Sequence, residues 1–282
     1  MAISFEPVGA GCQSISEQGA CTEPARHGMA DLLRLMGVPT HDAPETDAYP
    51  LAMRHLRTGA ALFHEGGPAE AIYFVNVGMF KTFTTAEDGY EQVLGFAGRG
   101  EVLGFDALCS GRHPTGAVAL EDAHVYLLPV RDMALLGSRA PELDRALHLA
   151  ASRQLAQRGE IADVMAAVAA EVRLARFLVQ LSMRMGSYGQ SMHRLLLRMS
   201  RRDIASHLGV AHETVSRSFS ALADWGYLRV NYREVEIVDL ETLKVFARST
   251  RGLVEEPLGR GRRRLADLAR AGRRGSFQAV AV

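Results

Sequence analysis

At 282 residues, with 48% apolar and 23% charged side chains, the chain has the length of two domains and the composition of an ordinary globular protein. That excludes a disordered, collagen-like or disulfide-scaffold chain, and the longest purely apolar run, Val164 to Ala170, falls far short of the roughly 20 residues that span a bilayer. The formal net charge of zero, taken alone, argues against a nucleic-acid partner, but it is a cancellation: residues 1–170 hold 12 basic and 21 acidic side chains, net −9, and residues 171–282 hold 20 basic and 11 acidic, net +9.

Residues 1–50 are rich in Gly, Pro, Ser and acids, with one short helical pattern at Met29–Met36. Most of this segment reads as a mobile leader. It has neither a basic n-region nor an apolar h-region, so no secretory signal is expected and the chain reads as cytoplasmic. Cys12, Cys21 and Cys109 are then thiols or metal ligands rather than disulfides. Residues 51–140 change to short β-branched and aromatic runs: Ala60–Phe63, Ala71–Val77, Phe80–Thr85, Gln92–Ala97, Val102–Phe105, Ala117–Ala119 and Val125–Leu128. Gly-containing turns break them at regular spacing, which indicates an antiparallel β-roll or sandwich.

After Pro141 the period changes to about 3.6, with Leu143, Leu147, Leu155, Ala162, Met165 and Ala169 at helical spacing. A helix over 141–170 with small apolar side chains along it is expected to pack on its own copy as a two-fold dimer helix, with Leu155, Arg158 and Ala162 at the seam. The alternative is a long helix packed on its own β-domain.

Residues 171–250 begin with a second helix at Val172–Met183, with Leu174, Phe177, Leu178 and Leu181 inward. Ser200 and Asp203 form a capping-box start for a short helix whose Ile204, Ala205 and Leu208 face inward, and Gly209 ends it. Val215 follows at helix-turn-helix spacing, and the extended pair Leu228–Val230 and Val235–Val238, joined by Asn231–Glu234, makes the unit a winged helix. On the second helix Val215, Phe219 and Leu222 form the buried stripe, which leaves Glu213, Ser216, Arg217 and Ser220 on the opposite face.

That face suits major-groove readout. Glu accepts from cytosine N4, Arg donates two bonds to guanine, and Ser or Thr, here Ser216 and Thr214, meets A·T pairs. Glu213 and Arg217, at i and i+4, can also pair with each other. The plain alternative is an exposed helix with a routine ion pair worth about 0.3–0.5 kcal/mol. Ten Arg and three acids lie between 173 and 233, a surplus suited to phosphates, for which Arg201, Arg202 and His212 are candidates. The tail, 251–282, carries eight Arg among apolar residues. It reads as disordered in the free state, with an amphipathic basic helix adding phosphate contacts as the alternative.

The order of roll, long helix and winged helix, with Gly59-x-x-Leu62-Phe63-x-Glu65-Gly66, Ile72-Tyr73-x-Val75-x-x-Gly78 and Gly100-Glu101-x-x-Gly104, resembles the Crp/Fnr superfamily over roughly Leu51 to Arg251. Gly104-Phe105-Asp106-Ala107 and Glu213-Thr214-Val215-Ser216-Arg217 are similar to its Fnr branch. The resemblance implies an α+β protein with a cyclic-nucleotide-binding-like roll. It also implies a homodimer on double-stranded DNA at a TTGAT-N4-ATCAA-like palindrome, with Glu213, Ser216 and Arg217 as base readers. RNA polymerase contact, commonly as an activator, follows from the same likeness. Ala211 stands where relatives often carry a capping Thr, a loss of about 1 kcal/mol of helix stability.

In this family a cyclic-nucleotide phosphate needs an Arg beside a Ser or Thr. Here Pro114 holds that place within Arg112-His113-Pro114-Thr115, so a cyclic-nucleotide response is the alternative, not the preferred reading. Oxygen-sensing relatives hold a [4Fe–4S] cluster on three leader thiolates and one late-strand thiolate. This leader offers Cys12 and Cys21 only, the late-strand position is Tyr126, and Cys109 lies in a loop the family does not use. Cluster ligation or redox chemistry at Cys12 and Cys21 is weighed against cysteines with no sensing role, which is preferred, and no cofactor is assigned. His55, His64, His113 and His124 stand alone, which gives a haem site no support. A cupin-like metal enzyme is the rival from another class, but His64-Glu65 lacks a His-x-His before it and so supplies no ligand triad.

Overall fold

The computed structural model describes residues 28–39 and 49–249. Cys12, Cys21 and the Arg-rich tail therefore lie outside the described residues. The first domain is a roll of two four-stranded antiparallel sheets. One orders its strands β1 (Ala52–Leu56), β8 (Ala123–Pro129), β3 (Ala71–Val77) and β6 (Val102–Leu103); the other orders β2 (Ala61–Phe63), β7 (Gly116–Ala119), β4 (Phe80–Thr85) and β5 (Glu91–Ala97). β3 and β4 match the expected runs residue for residue. β1 was not expected, because Ala-Met-Arg-His-Leu lacks a β-branched residue and pairs only as an edge strand, on β8.

β3 is buried on both faces, and its period of two divides it between two cores. Tyr73 and Val75 point between the sheets with Val125 and Phe80. Ile72 and Phe74 point the other way, with Tyr126 and Leu128, onto a helical layer. That layer includes α1 (Met29–Met36), whose Met29, Leu32, Leu33 and Met36 are all buried. The expectation of a leader through residue 50 is thus corrected: 28–39 belong to the folded roll, because the apolar face of α1 has a partner in α3. At the β3–β4 turn Gly78 has φ 98 and lies so close to Ala123 that a Cβ would sit 2.5 Å from that methyl, which excludes every other residue.

α2 (Val130–Arg139) leads into α3 (Pro141–Ala166), whose Pro sits at the start where no N–H is needed. Leu143, Ala146, Leu147 and Ala150 pack on the roll and α1, so Leu143 and Leu147 are not seam residues; the first half of α3 is held by its own domain. Past Ala150 one face of the helix still bonds the roll, through Gln154 to the Val102 carbonyl at 2.7 Å, while the other carries Leu155, which is 74% exposed. α3 stops at Ala167, whose backbone turns extended (φ −73, ψ 138), three residues before the expected end.

α4 (Ala170–Ser187) then buries Leu174, Phe177, Leu178 and Leu181 as expected. The second domain continues with β9 (Arg194–Leu196), α5 (Arg201–Leu208), α6 (His212–Asp224), β10 (Leu228–Asn231), β11 (Glu234–Ile237) and α7 (Leu240–Ala247). Its sheet runs β10-β11-β9, so a third strand backs the expected pair. The fold is α+β: an antiparallel N-terminal roll, a long helix and a C-terminal winged helix-turn-helix.

The two domains share one apolar core. Val93 and Phe96 of β5 are buried together with Phe177, Ile204, Leu208, Val215 and Phe219. No helix among the described residues is long and apolar enough to cross a membrane.

Candidate nucleic-acid interface

α5 begins where Ser200 and Asp203 exchange bonds: Ser200 Oγ accepts from the Asp203 N–H at 3.1 Å, and the Asp203 carboxylate accepts from the Ser200 N–H at 2.9 Å. Burial alone would raise the Asp203 pKa, but bonds from Ser200 and from Lys81 Nζ, at 3.2 Å, hold the carboxyl below its usual range. Gly209 ends α5 in the left-handed region (φ 61) with Met165 of α3 beside it. α6 starts at Ala211, which supplies no side-chain cap, as its sequence implied.

On α6 Val215, Phe219 and Leu222 are buried, while His212, Glu213, Ser216, Arg217 and Ser220 are exposed and Thr214 is half-buried. The expected ion pair between Glu213 and Arg217 does not form. Arg217 instead donates to Thr214 Oγ1 at 3.3 Å, three residues back along the helix, so the guanidinium is positioned by a neutral hydroxyl and Glu213 is left to solvent.

Arg201 also departs from expectation. Its guanidinium carbon lies 3.3 Å from the centre of the Phe219 ring, its Nη2 donates to the Tyr232 carbonyl at 3.4 Å, and its Nη1 is buried without a partner. Burial pulls its pKa down to about 10. It is a cation–π brace between α6 and the β10–β11 turn, and Arg202 beside it is exposed. In that turn Tyr232 has φ 56, the only positive φ of a non-glycine among the described residues, a conformation that costs a bulky side chain about 1 kcal/mol.

Sequence reasoning missed the residues that hold this reader in place. Ser206 Oγ accepts from the Val93 N–H at 2.9 Å and donates to the Glu91 carbonyl at 2.8 Å, and Gln92 Nε2 donates to the Ser206 carbonyl at 2.6 Å. His207 is 6% exposed and meets Phe96 and Phe177 edge-on, and burial lowers its pKa to about 4. Arg173 donates to the carbonyls of Ala167 and Leu208, which ties the α3–α4 break to the end of α5. Arg176, almost wholly buried, bonds Asp163, Ala247 and Ser249. An Arg-rich count alone signalled phosphate; only three-dimensional packing shows that some of these arginines are internal.

Between the roll and α3 lies a cavity of about 390 Å³, lined among others by Phe63, Glu101, Thr115, Gln157, Arg158 and His207. Its residues do not fit a cyclic nucleotide. Arg112 is exposed and spent on the Gly66 carbonyl at 2.6 Å. The Glu101 carboxylate is occupied by the Gly98 N–H, by Gln157 and by Arg184. Cys109, the one cysteine among the described residues, is exposed, Tyr126 is buried on β8, and no cluster of three His, Cys, Asp or Glu could hold a metal among the described residues. Cys12 and Cys21, the candidates for cluster ligation, lie outside the described residues. The histidines differ from expectation: His113 is buried and stacked on Phe63 at 3.8 Å, and His55 and His124 face each other across β1 and β8. Arg158 lies 3.8 Å from Asp106 of its own chain.

Residues 53–139 match the cyclic nucleotide-binding domain family and residues 172–246 the Crp-like helix-turn-helix domain. The chain is 33% identical over 209 residues to the transcriptional regulatory protein btr of Bordetella pertussis, covering 74% of this chain and 86% of that one. To the transcriptional activator protein anr of Pseudomonas aeruginosa it is 32% identical over 211 residues, covering 75% and 86%. The structure of FixK2 from Bradyrhizobium japonicum superposes with a TM-score of 0.64 at 25% identity, over 71% of this chain and 99% of that one. With its roll, long helix and winged reader in this order, the chain belongs to the Crp/Fnr family, whose members are DNA-binding transcriptional regulators and not enzymes.

Proposed function

We propose that this regulator is a homodimer that reads a TTGAT-N4-ATCAA-like palindrome through Glu213, Ser216 and Arg217. Thr214, Arg202, His212 and Ser220 make supporting contacts to the DNA backbone, and RNA polymerase is contacted for activation in an oxygen, redox or nitrogen-oxide response. The observation that carries the reading is the face of α6: Glu213, Ser216, Arg217 and Ser220 are exposed together while the opposite stripe is locked into the core. Their donors and acceptors match guanine, cytosine and A·T edges. The Pseudomonas relative is named a transcriptional activator, which supports the direction of regulation.

The second half of α3 supports the dimer. Ser152, Leu155, Ala156, Gly159 and Ala162 are exposed on one uncharged stripe, and Asp163, next along that face, is neutralised by Arg176 at 3.2 Å. Pairing along this stripe then needs no ligand. Metal-free, reduced protein should sediment as a dimer; monomer alone overturns this reading. The test of the whole is a gel shift on the palindromic duplex. Arg217→Ala should lose discrimination at one base position of each half-site, whereas equal loss on all sequences contradicts direct readout. An anaerobic absorption spectrum with iron and sulfide analysis decides whether a cluster is bound.

A further inference from the structure

At one end of the first sheet two imidazoles meet in a place that neither the core nor the reading of DNA employs. β1 and β8 run antiparallel with His55 opposite His124, so both side chains leave the sheet on the same side. Their ring centroids lie 3.8 Å apart at an interplanar angle of 50°. His55 is exposed and His124 half-buried, and the residue across from His124 on its other side, Val77 of β3, is 45% exposed. The helical layer that buries Ile72, Phe74, Tyr126 and Leu128 therefore stops short of this rim, and the pair stands in water.

Burial does not explain the pair, and two imidazolium ions this close repel each other. Two neutral imidazoles instead offer adjacent nitrogen lone pairs. Imidazole is the ligand that Zn²⁺, Ni²⁺ and Cu²⁺ share. Two Zn–N bonds of about 2.0–2.1 Å at a tetrahedral angle place the ring nitrogens about 3.3 Å apart, a spacing that abutting rings reach by side-chain rotation alone. The backbone need not move, because direct cross-strand register holds the two Cβ atoms about 4.5–5.5 Å apart. Asp122, two residues before His124, is anchored by the Thr58 N–H at 2.8 Å and the Thr58 hydroxyl at 3.0 Å. It interacts electrostatically with His124, and its negative charge favours a cation at the rim.

We propose that His55 and His124 bind one divalent ion of the Zn²⁺, Ni²⁺ and Cu²⁺ class as a cross-strand chelate. Two protein ligands leave the other coordination positions to water, in keeping with the lack of a three-residue ligand cluster among the described residues. The ion clips β1, an edge strand without a β-branched residue, to its neighbour β8. The site owes nothing to the assignment of α6.

The experiment titrates tag-free, full-length protein, stripped with chelator and kept reduced, with ZnCl₂ in a calorimeter, while long-range ¹H–¹⁵N spectra follow the histidine rings. Cysteine thiolates also take zinc, so the comparison is with variants that keep all three cysteines. Wild type should take up one Zn²⁺ per protomer more than His55→Asn or His124→Asn, and the signals of two of the ten histidines should move with that equivalent. Saturating zinc should raise the melting temperature of wild type by more than that of either variant. His55→Cys, which replaces one zinc ligand by another, should regain the lost equivalent, which separates loss of a ligand from loss of the fold. Equal uptake by wild type and both Asn variants, ring signals that stay still, or no recovery in His55→Cys overturns the proposal and leaves the pair a stacking contact.

Discussion

Two arginines sixteen residues apart carry the same charge and do opposite work. Arg217 is exposed on α6, held lightly by Thr214, and Arg201 is folded onto Phe219. Composition could not separate them, because whether an Arg faces phosphate depends on a ring contributed by another helix. Arg217→Ala should cost about 1–3 kcal/mol of operator binding, measured by gel shift, with relaxed preference at one position. Arg201→Ala should lower the melting temperature as well, since it uncovers Phe219. His207 makes a prediction of its own. Its pKa is about 4 in the folded chain against about 6.5 when unfolded, so the unfolded state binds the extra proton between those values. Stability is therefore full above about pH 6.5, falls as pH drops towards 4, and levels off below, a loss of roughly 3 kcal/mol. Chemical denaturation of wild type across that range should show the slope, and His207→Phe should flatten it.

At the scale of elements, β3, β4, α1, the capping box of α5 and the buried stripe of α6 were all legible, because each is set by local period or by residues three apart. What the sequence hid was where each surface would be covered. α5 was expected to bury Ile204, Ala205 and Leu208 only; Ser206 and His207 on its other side are buried too, because β5 packs there. Ser206→Ala removes the acceptor of the Val93 N–H and leaves a buried donor unpaired, which should cost about 1–3 kcal/mol, read from urea unfolding. α3 divides likewise between a first half whose apolar residues are buried on the roll and a second half that leaves Leu155 exposed. Leu155→Asp adds charge at a position already in water within the protomer, so it should shift sedimentation to monomer while the monomer's circular dichroism is unchanged.

For the whole molecule, the change of charge sign near residue 170 is a boundary of composition more than of folding. Lys81 of the acidic half bonds Asp203 of the basic half, and Arg184 bonds Glu101, so each half spends some of its charge on the other. With Val93 and Phe96 inside the second domain's core, thermal unfolding should give one calorimetric transition. Phe96→Ala, a truncation worth about 3–5 kcal/mol in a packed core, should split it into two. The family, the fold and the exposed face of α6 were available from motifs and spacing; the interlock was not, since it joins residues more than eighty positions apart with no shared pattern.

One wall of the roll's cavity is His207, and His207 belongs to α5. A binding partner inside the cavity therefore touches the reader itself. By thermodynamic reciprocity, any occupant that multiplies operator affinity must have its own affinity multiplied by the same factor when operator is bound. For such an occupant DNA would be an effector of the cavity, and the amount retained would depend on how many operators are free.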